Sequence, residues 1–313
     1  MKTKKTSMVK KEHKTLKKLL VIVSVLFFMF FVTLICLNSI KSFSKSKDIV
    51  NSLYSNWEQG KYQEVYSISK TLLQKDVFDE MGLTFKGYSS LYLSMGEKDL
   101  TKSQLLLDES INSLRCALSV SKKNNPQIYY MLGKAYFFKN SIASYNYYSD
   151  LAIKYFELAL ENGFSSSDIP EYLGLCYGSI DLVEESIASF TEALLIKESD
   201  ILLFAIAQQY AKTNDSSMAL QYLNKILNDS ENELLKINAS ILYAQLLVKA
   251  REYEEAKSIL AEVLDKMPNN VDAIYTLGTI YEAQGDSIKA RAEWRKVLKI
   301  QVNHQDALNK LKM

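Results

Sequence analysis

Proline, cysteine and histidine are scarce in this 313-residue sequence, which has three prolines, three cysteines and two histidines. With so few prolines, long stretches lack helix breakers, and the many leucine, alanine, lysine and glutamate residues favour helix. Cys36, Cys116 and Cys176 stand far apart, without the spacings of zinc ligands or of a disulfide framework. We therefore predict an all-α protein in which Cys116 and Cys176 are buried as small apolar residues.

The residues that could act in catalysis or bind a metal lack the spacings along the chain that such sites require. His13 and His304 have no triad or ligand partner at a recognisable distance along the chain. The ten glycines are scattered singly and form no phosphate-binding loop. The acidic pair Glu184-Glu185 comes early in a predicted helix, where negative charge suits the helix dipole. We expect no enzyme activity, no cofactor, no metal and no small-molecule substrate.

Charge is divided unevenly along the chain. Residues 1–47 contain 11 lysines and one acid, Glu12, which leaves 27 basic and 35 acidic residues for 48–313. The basic charge therefore belongs to a short N-terminal part, and the larger part is acidic. Because binding to a phosphate backbone requires a basic patch, we expect no nucleic-acid partner.

One long apolar run stands near the N-terminus. Residues 19–40 read LLVIVSVLFFMFFVTLICLNSI, and 19–37 carry no charge. A helix of about 20 such residues spans the hydrocarbon core of a bilayer. Eight lysines precede the run, and by the positive-inside rule they place the N-terminus in the cytoplasm. We predict a basic cytoplasmic tail at 1–18, a transmembrane helix at 19–40 and a linker at 41–47.

The competing interpretation of this run is a cleaved signal peptide. Such a peptide has an apolar stretch of about 7 to 15 residues and ends at a small-x-small site. The run here is longer, and its end, Ile35-Cys36-Leu37-Asn38, supplies no such site. We therefore favour an uncleaved single-pass anchor in the cytoplasmic (inner) membrane. The rest of the chain would lie on the outer side, which is the periplasm if the protein is bacterial.

The remainder of the chain contains an internal repeat. A Leu-Gly pair, with tyrosine three residues after the glycine, occurs at Gly133, Gly174 and Gly278. Ala207 and Ala244 replace the glycine in two further copies, and the steps from Gly174 to Gly278 through these copies are 33, 37 and 34 residues. Each copy is followed by small, large and small or medium side chains on one helix face. These are Ala152, Phe156, Ala159; Ser186, Phe190, Ala193; Ala219, Leu223, Ile226; Ala256, Leu260, Val263; and Ala290, Trp294, Val297.

The pattern resembles the tetratricopeptide repeat family over most of residues 48–313, and most strongly over 127–302. The resemblance implies a right-handed α-solenoid of helix-turn-helix repeats, preceded by the single transmembrane helix. A weaker first repeat has its turn at Gly60-Lys61-Tyr62, and a second combines Gly87 with Ser110, Leu114 and Ala117. We predict about seven repeats in 48–302 and a capping helix at 303–313. The small residue of each first helix would let the second helix approach closely.

The resemblance also implies a protein-interaction scaffold or assembly factor whose partners are proteins of unknown identity, with the lipid bilayer contacted through residues 19–40. A cytoplasmic-facing co-chaperone adaptor and an accessory subunit of a membrane enzyme complex remain as alternatives. The binding surface would be the concave groove of the solenoid.

The repeat register assigns side chains to this groove. They lie two residues before and one after each Leu-Gly pair, together with residues one turn further on. They are Tyr130, Lys134, Phe137, Glu171, Leu175, Phe204, Gln208, Lys212, Ile241, Gln245, Lys249, Tyr275 and Thr279. We expect the aromatic residues to anchor a partner and the lysines to steer an acidic one. The other interpretation is that Tyr130 and Phe204 pack only against adjacent repeats.

Overall fold

The computed structural model describes residues 29, 33, 48–142, 148–213 and 216–312. Helices and their connecting turns make up these ranges, which contain no strand. The prediction of an all-α fold is therefore confirmed for the described residues. In the same residues no helix is both long and apolar enough to cross a membrane. The predicted transmembrane helix at 19–40 lies outside the described residues, apart from Met29 and Thr33.

The described chain from residue 48 onward forms fifteen helices, arranged as seven helical hairpins and a final helix. Helix α1 covers residues 48–58. The others are α2 (Tyr62–Lys75), α3 (Glu80–Gly96), α4 (Leu100–Val120), α5 (Pro126–Ile142), α6 (Ser149–Glu161), α7 (Ile169–Ser179), α8 (Val183–Ile196), α9 (Asp200–Tyr210), α10 (Ser216–Asp229), α11 (Glu233–Lys249), α12 (Tyr253–Lys266), α13 (Val271–Ala283), α14 (Ser287–Ile300) and α15 (Gln305–Lys312). From α2 onward each helix packs against the next, so the hairpins stack in chain order as an α-solenoid.

Short polar side chains and prolines define where several first helices begin. The side chains of Asp79, Asn232 and Asn270 each accept a hydrogen bond from the backbone N–H three residues on. This cap satisfies one of the unpaired N–H groups of a helix start. Pro126 and Pro170 occupy the first turns of α5 and α7, where a missing N–H costs nothing. The hairpins are therefore separated by local sequence signals.

Within a hairpin, the small residue of the first helix is in direct contact with the large residue of the second. A methyl group added at Gly174 would lie 2.5 Å from the ring of Phe190, and one at Gly278 would lie 2.5 Å from Trp294 Nε1. No side chain fits at either position without displacing a buried ring. In the first of these hairpins the buried Ser186 Oγ also donates a hydrogen bond to the Gly174 carbonyl, at 2.7 Å. The close approach predicted from the repeat register is thus present.

The two weakest repeats of the sequence are also complete hairpins. Gly60 has a φ of +67° in the turn between α1 and α2, a conformation that glycine adopts without strain. In the second hairpin, Gly87 contacts Leu114, and its carbonyl accepts a 2.7 Å hydrogen bond from Ser110 Oγ. The extra residues of this repeat lengthen its helices, because α3 has 17 residues and α4 has 21.

The buried apolar side chains form one large cluster in the N-terminal part of the solenoid and several smaller clusters in the C-terminal part. One continuous cluster, the N-terminal core, runs from Leu53 in α1 to Cys176 in α7. The buried residues of α8–α15 divide, within the described chain, into four smaller clusters that each bridge two or three consecutive helices. The first three repeats and the first helix of the fourth therefore share a single hydrophobic core, whereas the helices from α8 onward are joined by separate contacts.

The two cysteines of the repeat domain differ in exposure. Cys176 is buried, as expected, and burial raises its pKa to about 12. Cys116 is exposed, so the prediction that it is buried is wrong. Cys116 comes two residues after the buried Leu114, and the 200° rotation between them carries it off the inward face of α4.

Candidate protein-binding groove

The first helices of successive hairpins line one side of the solenoid. α3 contacts α5, α5 contacts α7, α9 contacts α11, and α11 contacts α13. Helices on the inner side of a curved stack lie closer together than those outside it, so we take this row as the concave side. The residues that the sequence assigned to the groove belong to these first helices or to the turn after them.

An open groove lies across α9, α11 and α13, with a volume of about 290 Å³. Four of the residues predicted from sequence line it together: Phe204, Gln208, Ile241 and Gln245. We call the groove across α9, α11 and α13 the open groove. Three residues that the repeat register does not assign to the groove complete the lining: Asn238, Leu242 and Asp272. Asn238 and Asp272 each stand six residues before the small residue of their helix, and this shared spacing is the signal that could have identified them.

The open groove combines amide and apolar side chains. Amides are supplied by Gln208, Asn238 and Gln245, and Gln245 Nε2 lies 3.4 Å from Thr276 Oγ1. The side chains of Gln208 and Asn238 make no hydrogen bond within the described part of the chain, and both residues are exposed. An amide has both donor and acceptor atoms, so these groups can pair with a peptide backbone.

The concave side is filled over α3, α5 and α7. Lys134 has a side chain only 8% exposed, and its Nζ lies 3.5 Å from Asp168 Oδ2. The same atom lies 5.2–5.6 Å from the ring centroids of Tyr92, Tyr130 and Tyr172. We call Lys134 with these three rings and Asp168 the lysine cage. Because its members come from three successive hairpins, the cage closes the inner side between them.

Tyr130 is a packing residue of this cage. It is 8% exposed, its hydroxyl donates a 2.7 Å hydrogen bond to Asp168, and its ring lies 4.9 Å from that of Phe164. Burial and the Asp168 carboxylate raise the pKa of Tyr130 well above its usual range. Phe137, further along α5, packs 4.8 Å from the ring of Tyr172. Neither Tyr130 nor Lys134 is accessible to a partner in this structure.

The two other predicted lysines connect neighbouring hairpins. Lys212 Nζ lies 3.2 Å from the Gly178 carbonyl and 3.0 Å from Asp181 Oδ1, both in the preceding repeat. Lys249 Nζ donates a 2.7 Å hydrogen bond to the Ala211 carbonyl, again in the preceding repeat. The expected lysine rim is therefore already engaged within the chain.

The remaining predicted residues lie outside the open groove. Leu175 is exposed on α7, and Glu171 lines a separate cavity of about 430 Å³ between α7, the end of α8 and the start of α9. Tyr275 stacks on His304 with the ring centroids 5.1 Å apart, and Thr279 Oγ1 donates a 3.2 Å hydrogen bond to the Tyr275 carbonyl. Tyr275 therefore packs against the turn before the final helix.

Comparison with known proteins agrees with this geometry. A sequence model of the tetratricopeptide repeat matches residues 247–312, which run from the end of α11 to the end of α15. Over these residues the chain is similar to the tetratricopeptide repeat family. No curated protein matches it by sequence.

Solved structures with tetratricopeptide repeats share the fold over most of the chain. The C-terminal part of a repeat-containing protein from Cytophaga hutchinsonii is 14% identical, with a TM-score of 0.55, and the match covers 84% of this chain and 99% of that one. A tetratricopeptide repeat protein from Parabacteroides merdae is 15% identical, with a TM-score of 0.52, and covers 85% and 97%. At these identities the likeness establishes the solenoid fold alone.

Proposed function

We propose that the protein is a membrane-anchored, non-catalytic interaction scaffold that binds an extended segment of a partner protein in the open groove. The observation that carries this proposal is the placement of unpaired amides beside apolar side chains on adjacent first helices. The amides of Gln208 and Asn238 suit a peptide backbone, and the half-buried Phe204 and Leu242 offer apolar contacts for its side chains, above the buried Ile241. Anchor residues of this kind supply most of the affinity of such surfaces.

The charge of the open groove favours a neutral or basic segment. Asp272 is the charged residue among those that line it, and the lysines nearby in sequence, Lys212 and Lys249, are engaged with the preceding hairpins. A carboxylate brought to this surface would meet Asp272 without a free cation. This replaces the expectation of an acidic partner, and it disfavours an adaptor that grips a terminal carboxylate.

The sequence supports a place for the scaffold at the outer side of the cytoplasmic membrane. The apolar run at 19–40 is long enough to span a bilayer, and the eight lysines before it favour a cytoplasmic N-terminus. The repeats then face the periplasm in a bacterium. We keep residues 19–40 as the contact with the lipid bilayer.

Site-specific photo-crosslinking in intact cells tests the groove. A photoreactive amino acid at Asn238 should crosslink to a partner protein, and Phe204→Ala in the same chain should abolish that product. The matched control places the photoreactive residue at Lys257, which is on a second helix. The same products from both positions, or products from Asn238 that survive Phe204→Ala, would exclude the open groove as the binding surface.

The native cysteines test the side of the membrane. Cys116 is exposed, and the buried Cys176 serves as the internal control. A membrane-impermeant maleimide should label Cys116 in intact cells or spheroplasts, because the repeats are proposed to lie outside. Labelling that requires permeabilisation of the inner membrane would overturn the outward orientation.

A further inference from the structure

An exposed apolar pair stands in the loop between α2 and α3. Val77 is 65% exposed and Phe78 is 66% exposed. The loop is ordered by its own acids, since Asp76 Oδ1 accepts a 3.0 Å hydrogen bond from the Phe78 N–H and Asp79 caps α3. These bonds hold two large apolar side chains in solvent, an arrangement that the packing of the repeats does not require.

Aromatic contacts place this loop beside the point where the chain enters the solenoid. Tyr54 packs on Phe85 and Trp57 packs on Tyr88, with ring centroids 5.1 and 5.4 Å apart. Both pairs have an offset of 31 residues, so α1 and α3 run parallel and in step. The same offset puts Asp48 level with Asp79, the residue that directly follows the Val77-Phe78 pair.

The predicted membrane segment ends a short distance before this point. Seven residues, 41–47, separate position 40 from position 48, and the eight steps between these positions span at most about 29 Å when fully extended. A tether of this length keeps the Val77-Phe78 loop near the bilayer surface. A contact too weak to bind membrane alone becomes effective when a second attachment makes it intramolecular.

Lysines on the neighbouring loop suit the same surface. The α4–α5 connection carries Lys122 and Lys123, both exposed, and no carboxylate in the described part of the chain pairs with either. This connection is held next to the start of α3, because Ser121 Oγ donates a 2.5 Å hydrogen bond to Glu80 Oε1. Lysines beside inserted apolar residues are attracted to anionic headgroups.

From these placements we infer that the Val77-Phe78 loop docks into the headgroup region of the bilayer, with Lys122 and Lys123 facing anionic lipid. The occupant of this apolar patch is the membrane surface. The inference rests on the proposed anchor at 19–40. It fixes the first repeats against the membrane, whereas the open groove begins more than 120 residues further along the chain.

The test uses the full chain in nanodiscs of phosphatidylcholine and phosphatidylglycerol. The native cysteines are replaced by alanine, and a single cysteine carries an environment-sensitive fluorophore at Phe78→Cys. Val302→Cys is the matched control, an exposed apolar loop residue between later helices, and Ile288→Cys reports the opposite edge. Spin-labelled lipid should quench the fluorophore at position 78 and leave positions 302 and 288 unquenched.

Each outcome separates the docking from the anchor. If the chain enters nanodiscs and resists carbonate extraction but position 78 is not quenched, the docking is wrong and the anchor stands. Equal quenching at 78 and 302 also overturns the local contact, because the whole edge would then lie on the bilayer. If the chain does not enter nanodiscs, the anchor fails and the docking fails with it.

Discussion

The first four repeats and the last three use the same helical hairpin but differ on their concave side. In the first region, aromatic side chains and the lysine cage fill the space between α3, α5 and α7. In the second, amides and apolar residues, among them Phe204 and Ile241, leave the open groove across α9, α11 and α13 at equivalent positions. The size and charge of one or two side chains per helix thus decide whether the concave side of a repeat is filled or open.

The largest expected effect lies where the two regions meet. Gly174→Leu should lower the free energy of unfolding by about 3 kcal/mol, because the new side chain overpacks against Phe190 on a buried contact. Urea denaturation followed by circular dichroism measures it. Gly96→Leu is the control, since a methyl group there has no atom within 4 Å. Equal stability of the two variants would show that the hairpin contact is assigned incorrectly.

The next largest effect on the free energy of unfolding is expected in the lysine cage of the first region. Lys134→Ala should cost about 2 kcal/mol, because it removes a buried stem, an ion pair and three ring contacts at once. The same denaturation experiment measures the loss. A cost below that of Lys249→Ala would mean that the cage does not hold the first region together.

Lys249→Ala should have a smaller effect, of about 1 kcal/mol, because it removes one charged hydrogen bond to the Ala211 carbonyl. Photo-crosslinking from Asn238 should persist in this variant, since Lys249 does not line the open groove. Loss of the crosslink without loss of stability would return Lys249 to the binding surface and weaken the contrast between the two regions.

The smallest effect is a dependence on alkaline pH that originates in the first region. Burial, then the charges of Asp168 and Glu171, raises the pKa of Tyr172 to about 12 from an ordinary value of 10.0. The folded state holds this proton more tightly, so the stabilisation is complete below pH 10 and is lost as pH rises towards 12. Tyr172→Phe should flatten the decline in unfolding free energy over this range. An unchanged slope would show that Tyr172 does not titrate with folding.

The sequence was sufficient to predict the hairpins, because each depends on contacts that recur at fixed intervals. Gly174 meets Phe190 within one repeat, and the same small and large pairing marks Gly278 and Trp294. Four of the residues that line the open groove are among those that this register selects, and their role in binding stays a prediction. The register did not predict the roles of the lysines, because Lys134 pairs with Asp168, which lies 34 residues away in the next repeat. The repeat register assigns the same role to equivalent positions in every repeat. Whether the concave side is filled at such a position depends on the side chains that the neighbouring repeat places next to it.

The continuity of the N-terminal core has a consequence for synthesis of the chain. The residues of this core all lie between Leu53 and Cys176, and in the described part of this range their helices contact those of the same or the adjacent hairpin. Such local contacts close quickly and need no later part of the chain. We expect the first three repeats and α7 to fold while the rest is still being translated. Each later hairpin would then pack against a hairpin that is already folded and form its own small hydrophobic cluster.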